Sequence, residues 1–358
     1  MMAHALWHRD ATQTPLAPPR YSCRGHRTIP SALSFIRDER LKLDLSNKLH
    51  SLEEVIGESL HSPTPLVAPI GAYILRHGKR IRPLLLILSA KASGYQGEDE
   101  VGLACLIEWI HAATLLHDDV LDEADLRRQK PTVRMTWGNR LSVSMGDFAY
   151  FNAVTSLTRM ANPELSACVL NACHRMVVGE LTQLRHCGNI MRESTYLRII
   201  RDKTGALIGA TCQAGGILAR AQKGECQALS RFGLAFGIGY QLLDDALDYV
   251  APSGYGKRKG QDFQQGFVTL PLLHLLKHCA EPEREYLLTV LLAKTTVSEE
   301  ALESVAQLLN HYGSIEYTLA LVDRYCDLAK RQLAALPESI YKTALLNFVD
   351  VVTLTRDL

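Results

Sequence analysis

Two ten-residue stretches of this chain place aspartates where a helix should keep apolar side chains. "LLHDDVLDEA" runs from Leu115 to Ala124, and "QLLDDALDYV" runs from Gln241 to Val250. On a helix, Asp118 and Asp122 share one face a turn apart, and Asp119 lies beside Asp122 at i,i+3; Asp244, Asp245 and Asp248 repeat the arrangement. Each like-charge pair costs a few tenths of a kcal/mol, about 0.2–0.5 in isolated helices. Anions toward a helix C-terminus cost roughly 0.3–1 kcal/mol more. A cation cancels both penalties. Hard divalent ions prefer such oxygen ligands, and Mg2+ characteristically binds through one or two carboxylates plus substrate phosphates. One DDxxD alone reads equally well as a solvated helix face. Two copies, preceded by Leu115–Leu116 and Leu242–Leu243, point instead to a two-sided acidic cage for a phosphorylated ligand.

Cationic residues follow the same plan. "HGKRIRP" offers Lys79, Arg80 and Arg82, and "DLRRQKP" offers Arg127 and Arg128 just past the first triad. "RDKTGA" adds Lys203 with Thr204, and "YGKRKGQD" adds Lys257 with Asp262. Guanidinium forks and lysine point charges are what phosphate oxygens require. A lone basic pair is usually a surface feature, but four clusters around two acidic triads describe a two-diphosphate site.

The elements that must position these groups are helical. Apolar residues recur at three and four from about Ser31 onward, as in "SRFGLAFGIGYQLLDDALDYV", with almost no alternation of strand length. Breakers such as "HSPTP", "RRQKPT" and "APSGYGKRKG" separate the helices, and no domain-sized linker follows the tail. The expectation is an all-α, single-domain bundle of ten or more helices over residues 31–358. Residues 1–30 differ: four prolines and four arginines stand against one acid, Asp10. They read as a disordered tail or an organellar transit peptide, without the apolar run of a secretion signal.

Composition narrows the function classes. Of 358 residues, 47% are hydrophobic and 22% charged, enough to bury a large core. A formal net charge of +1 gives no global attraction to nucleic acid. The nine cysteines form no CxxC pair, so reduced thiols in a cytoplasmic compartment are expected rather than disulfides or structural zinc. The longest apolar runs are too short to span a bilayer.

The motifs and their order resemble the trans-type (all-E) polyprenyl diphosphate synthases, from about Leu60 to Leu276 and more weakly beyond. The shared stretches are "GKRIRP", "IHAATLLHDDVLDEADLRR", "WGN", "GD" at 146–147, "GELTQL", "KTGALIG", "YQLLDDALDY" and "GKRKGQDFQQGFVTLP". The resemblance implies an isoprenoid-synthase fold around a central cavity. It also implies Mg2+ held by Asp118, Asp119, Asp122, Asp244, Asp245 and Asp248, with Asp244 the most direct ligand of the second triad. Arg127 and Lys257 would meet the allylic diphosphate; Lys79, Arg82, His111 and Arg128 would hold isopentenyl diphosphate. Lys203, Thr204 and Gln241 would stand near the developing carbocation or the leaving group. Ala113 and Thr114 would set product length, with no aromatic plug there, so a long, octaprenyl-range product of the kind used in quinone side chains is expected. Trp109 is either core packing or a deeper floor. The family implies a homodimer, with a heteromer as the alternative. The sequence departs from the family pattern at His77 and Gln129, where glycine is usual, and at Phe267, where many members have lysine.

Four other readings remain at this stage. "HD" at 117–118 is the short signature of all-α metal-dependent phosphohydrolases, but it leaves the second DDxxD unexplained. A short-chain synthase and a non-catalytic subunit of a heteromeric synthase share the fold, as does a terpene cyclase, which usually lacks the second DDxxD.

Overall fold

The computed structural model describes residues 33–75, 78–127, 130–250, 260–292 and 297–354. Its helices run in chain order as α1 (Glu39–Ser59), α2 (Val67–Leu75), α3 (Ile81–Ala92), α4 (Asp99–Leu121), α5 (Val133–Trp137), α6 (Asn139–Arg159), α7 (Pro163–Arg185) and α8 (Glu193–Ile200). A π-helical turn, Arg201–Gly205, leads directly into α9 (Ala206–Leu218). There follow α10 (Lys223–Val250), α11 (Gln261–Gln264), α12 (Leu270–His278), α13 (Glu281–Leu292), α14 (Glu299–His311), α15 (Ser314–Gln332) and α16 (Ile340–Leu354). The all-α expectation holds. The strands among the described residues are a two-residue antiparallel pair, β1 (Leu126–Arg127) and β2 (Lys130–Pro131), inside the "RRQKPT" segment.

Local chemistry sets the helix starts. Asp38 accepts from Leu41 N at 2.9 Å to cap α1, whose buried Leu41, Leu45, Leu49, Leu52 and Ile56 form one stripe. Asn162 caps α7, and Pro163 occupies its first position, where no intrahelical N–H is needed. Thr132 caps α5 and donates to the Ala124 carbonyl at 2.7 Å, which ties down the chain just past the first triad.

Close helix contacts then bring the chemical residues together. A Cβ at Gly237 would stand 2.8 Å from Gly205 Cα, and one at Gly233 would stand 2.6 Å from the Ile208 carbonyl. Missing side chains thus let α9 and α10 touch backbone to backbone, which sets Thr204 beside Gln241. A Cβ at Gly179 would lie 2.7 Å from Lys203 N, so α7 presses on the π turn in the same way. π turns of this kind often mark functional sites.

Candidate active site

The first triad ends α4. Asp122 is the C-cap residue, its N–H donating to the Asp118 carbonyl at 2.8 Å, and α4 has no basic residue in its last turn. Burial pushes the Asp118 carboxyl up to about 7; Glu180 and Asp122 reinforce the shift while Lys203 and Arg127 oppose it. Burial also raises Asp122, against the pull of Lys203 and Arg127. Asp119 turns aside: its Oδ1 accepts from Arg127 Nε at 2.9 Å and pairs with Nη2 at 2.8 Å. Its Oδ2 is buried with no hydrogen-bond partner.

The second triad is organised by hydrogen bonds. Thr204 Oγ1 donates to Gln241 Oε1 at 2.9 Å, and Gln241 Nε2 donates to Asp245 Oδ1 at 2.7 Å. Tyr196 donates to the other oxygen of Asp245 at 2.6 Å. Asp245 is raised by burial and by the charge of Asp262. Asp248 accepts from the backbone N–H groups of Gln261 at 3.2 Å and Asp262 at 3.0 Å, so it caps α11. Gln265, just past α11, donates to the Asp122 carbonyl at 3.3 Å. One turn thus clasps both triads. Asp244 stands half-buried on the same helix.

Lys203 joins the halves. Its ammonium pairs with Glu180 on α7. Burial works against its charge, but Asp118, Glu180 and Asp122 outweigh burial and hold it above the usual lysine range. Lys203 thus follows the charge of the first triad, while its neighbour Thr204 is hydrogen-bonded through Gln241 to Asp245 of the second.

The other sequence-selected residues divide. Arg82 is held below the usual arginine range by burial, with Glu108 and Tyr240 opposing, and its Nε lacks a partner. A buried guanidinium with a free donor is suited to an anion. Arg80 is spent elsewhere: it takes Glu53 in a two-pronged pair at 2.7 and 2.9 Å and Glu108 at 2.8 Å. Lys79 is exposed, and His111 lies half-buried about two turns before Asp118. Arg128, Lys257, His77, Gln129 and the 1–30 tail fall outside the described residues. The Phe267 N–H donates to the Asp262 carbonyl at 2.9 Å.

Ala113 is 2% exposed within the core, whereas Thr114 is half-buried with its hydroxyl bonded to the His111 carbonyl at 2.8 Å. Trp109 donates to Ser59 Oγ at 2.8 Å and meets Phe148 edge-on at 6.2 Å. Those contacts support core packing over a tunnel floor. His117 faces α6, with Nε2 at 3.3 Å from both the Val143 carbonyl and Asp147. That orientation takes it away from the partnership with Asp118 that a phosphohydrolase reading needs.

Sequence reasoning did not assign Glu180, Tyr196 or a role for Asp262 beside Asp245. Glu180 lies within "GELTQL", so a signal existed; nothing in the sequence links Tyr196 to the aspartates.

Among the described residues, no three His, Cys, Asp or Glu groups gather closely enough to hold a metal unaided. The donor set nevertheless fits Mg2+: carboxylates forced upward by burial and a buried orphan oxygen on Asp119, with diphosphate left to complete the coordination.

Comparison with known proteins decides the family. The polyprenyl synthetase family model matches residues 64–309. The chain belongs to the polyprenyl synthetase family. It is 35% identical over 316 residues to the octaprenyl diphosphate synthase of Escherichia coli K12, covering 87% of this chain and 97% of that one. The crystal structure of a decaprenyl diphosphate synthase from Rhodobacter capsulatus superposes with a TM-score of 0.84 at 34% identity, covering 88% of this chain and 98% of that one. A Caulobacter crescentus polyprenyl synthase, solved with calcium and isoprenyl diphosphate, also gives 0.84, at 30% identity and 88% and 96% coverage. Family membership accounts for both triads in one fold, which the phosphohydrolase reading did not.

Proposed function

We propose that this protein joins isopentenyl diphosphate to an allylic prenyl diphosphate, repeatedly, to make a long-chain all-trans polyprenyl diphosphate. What supports this reading is the hydrogen-bonded chain from Tyr196 through Asp245 and Gln241 to Thr204, with Lys203 next in sequence and held charged by Asp118, Glu180 and Asp122. Asp118, Asp122 and the unpaired Oδ2 of Asp119 on one side and Asp244 on the other would hold Mg2+, which would offset charge gathering on the departing diphosphate. Lys203 adds a fixed positive charge at the same place. Arg82 offers an unpaired buried donor to the second diphosphate. Gln241 is locked by its two hydrogen bonds, so its carbonyl dipole keeps one direction beside the reacting carbons. The apolar core below the triads excludes water that would hydrolyse an allylic cation. No side chain need be a strong base, because the released diphosphate can accept the final proton.

Long-chain output, and with it a role in quinone side chains, is supported by the small residues Ala113 and Thr114 and by the octaprenyl and decaprenyl relatives. A homodimer is supported by an exposed apolar face on α6 and α7: Phe151 is 64% exposed, Val177 59% and Leu181 62%. Such patches commonly mark protein interfaces. The cysteines among the described residues are free, which agrees with a reducing, cytoplasmic setting. Among the described residues no helix is long and apolar enough to cross a membrane.

The test is the purified chain alone with Mg2+, farnesyl diphosphate and labelled isopentenyl diphosphate. A ladder ending in a long polyprenyl diphosphate, abolished by chelator and restored by Mg2+, is expected. Folded protein that incorporates no label until a second subunit is added would overturn the single-chain reading.

A further inference from the structure

Helix α8, the π turn and α9 form one unbroken helical run from Glu193 to Leu218, with an irregularity at its middle. The backbone is right-handed helical at Ile200, Arg201, Gly205 and Ala206, yet Arg201–Gly205 winds as a π turn. Such a turn takes up one residue more than an α-turn, which amounts to about 100° of rotation. Its effect is visible on α10. Tyr196, before the turn, bonds Asp245, and Thr204, inside it, bonds Gln241. A regular α-helix would set two residues eight positions apart about 80° out of line. Reaching one short patch of α10 with both side chains therefore depends on keeping the turn.

A π turn is rare because the α-helix is the better-wound state, so this one needs a restraint. Gly179 and Gly237 allow close approach, but a missing side chain permits a register without enforcing it. Asp202, within the turn, supplies the enforcement. Its Oδ1 accepts from Arg175 Nε at 3.0 Å and Nη2 at 2.6 Å, and from Arg201 Nε at 3.1 Å. Its Oδ2 accepts from Arg201 Nη2 at 2.9 Å. Four charge-assisted donors on one carboxylate fix its direction as well as its charge. The Asp202 side chain is 12% exposed, so water competes weakly for it. Arg175 projects from α7, one turn before Gly179, and so ties the π turn to a different helix. Unwinding the turn into regular α-helix would carry Asp202 away from Arg175 and break that tie.

We propose that Asp202, gripped by Arg175 and Arg201, is the positioning residue that holds the π turn in register and thereby sets Thr204 against Gln241. The inference rests on reading Thr204 and Gln241 as groups beside the reacting carbons. Asp202 touches no substrate; it acts through the helix it pins.

The test is a double-mutant cycle of Asp202→Asn and Arg175→Met in the full chain, with two readouts. The first is backbone amide exchange without substrate, followed peptide by peptide. Each single variant should exchange about threefold or more faster over residues 201–208, with the α1 and α15 peptides unchanged. The second is steady-state addition of isopentenyl diphosphate to farnesyl diphosphate. Each single variant should lose on the order of tenfold in kcat, because about 1 Å of misplacement can cost about 10²-fold, and keep KM for isopentenyl diphosphate within about twofold. The double variant should lose less than about twofold more than either single one, since one contact is removed in both. Parental exchange over 201–208, faster exchange spread over the whole chain, or losses that multiply in the double variant would each overturn the proposal. Should Asp202→Asn fail to fold, Arg175→Lys replaces it: charge is kept and the fork is lost, so faster local exchange supports the pin and parental exchange refutes it. A parent inactive toward both diphosphates would overturn the proposed function, and the exchange comparison would still decide whether Asp202 holds the turn.

Discussion

Thr114 and Ala113 are neighbours in sequence, yet the structure predicts opposite outcomes for enlarging them. Thr114 lies about 6 Å along α4 from Asp118 and about 40° around it, whereas Ala113 lies about 140° around. Thr114 is half-buried; Ala113 is 2% exposed and packed into the main core. Thr114→Phe therefore puts a ring on the face leading down from the triad, and its first consequence is steric obstruction of the growing chain. Ala113→Phe forces the same ring into packed side chains, at about 1–3 kcal/mol of overpacking. At about 2–4 °C per kcal/mol for large domains, that lowers Tm by roughly 2–12 °C. The assay is thin-layer or reversed-phase chromatography of products from labelled isopentenyl diphosphate, beside thermal melts of both variants. Thr114→Phe should end at farnesyl or geranylgeranyl length with Tm within about 2 °C of the parent, since surface and half-buried changes away from packed features are usually small. Ala113→Phe should melt early and, where active, keep the parental product. A Thr114→Phe enzyme that still makes the full-length product would refute the claim that this helix face bounds the chain. Product shortening by Ala113→Phe at unchanged Tm would show that the tunnel follows the other face.

Tyr196→Phe removes the 2.6 Å bond to Asp245 in a fully enclosed position, so stability should fall by about 1.5–3 kcal/mol, read from denaturant midpoints; an unchanged midpoint would mean that Asp245 does not depend on this donor. Gly179→Ala should displace the π turn and lower kcat by tenfold or more, since about 1 Å of misplacement can cost about 10²-fold, whereas Gly102→Ala, with open space around it, should leave kcat alone. Equal kcat values in the two alanine variants would remove the case for close α7 contact. His274 is held below its usual range by burial, with His278 and Lys277 adding to the effect and Glu193 opposing it. The unfolded chain therefore takes up this proton first, and stability present at pH 7 should decline as pH falls through about 6.5 toward the lower folded value. Urea midpoints at pH 7.5 and 5.5 should differ less in His274→Gln than in the parent; identical differences would dismiss this histidine as a source.

Much of the site was legible because its chemistry is local in sequence. A DDxxD at helical spacing is an electrostatic anomaly wherever it occurs, and two of them with flanking Lys and Arg define a ligand class. The all-helical class followed from the three-and-four recurrence of apolar residues, as in Leu41, Leu45, Leu49 and Leu52. Spacing could not reveal which charges are already spent. Lys79, Arg80 and Arg82 look interchangeable in "GKRIRP", but folding gives Arg80 two glutamates from α1 and α4 and leaves Arg82 with an orphan donor. Asp248 and Asp245 likewise read as equal members of a triad, yet one caps a short helix and the other is gripped by Tyr196 and Gln241.

That inequality has a physical reason. A site that must accept metal and diphosphate cannot have all its acids relaxed and waiting, because six unpaired carboxylates in a half-buried cavity would largely protonate. The fold instead assigns several of them provisional partners: Arg127 for Asp119, backbone amides for Asp248, and Gln241 and Tyr196 for Asp245. Each partner is itself a donor or cation that a diphosphate could engage. Incoming substrate can then exchange with existing contacts rather than fill bare charge, so the cost of assembling the acidic cluster is met by folding, before any ligand arrives. On this argument Arg127 is a substrate-binding group and also a stand-in whose charge offsets part of the burial that raises Asp119, until the metal takes over.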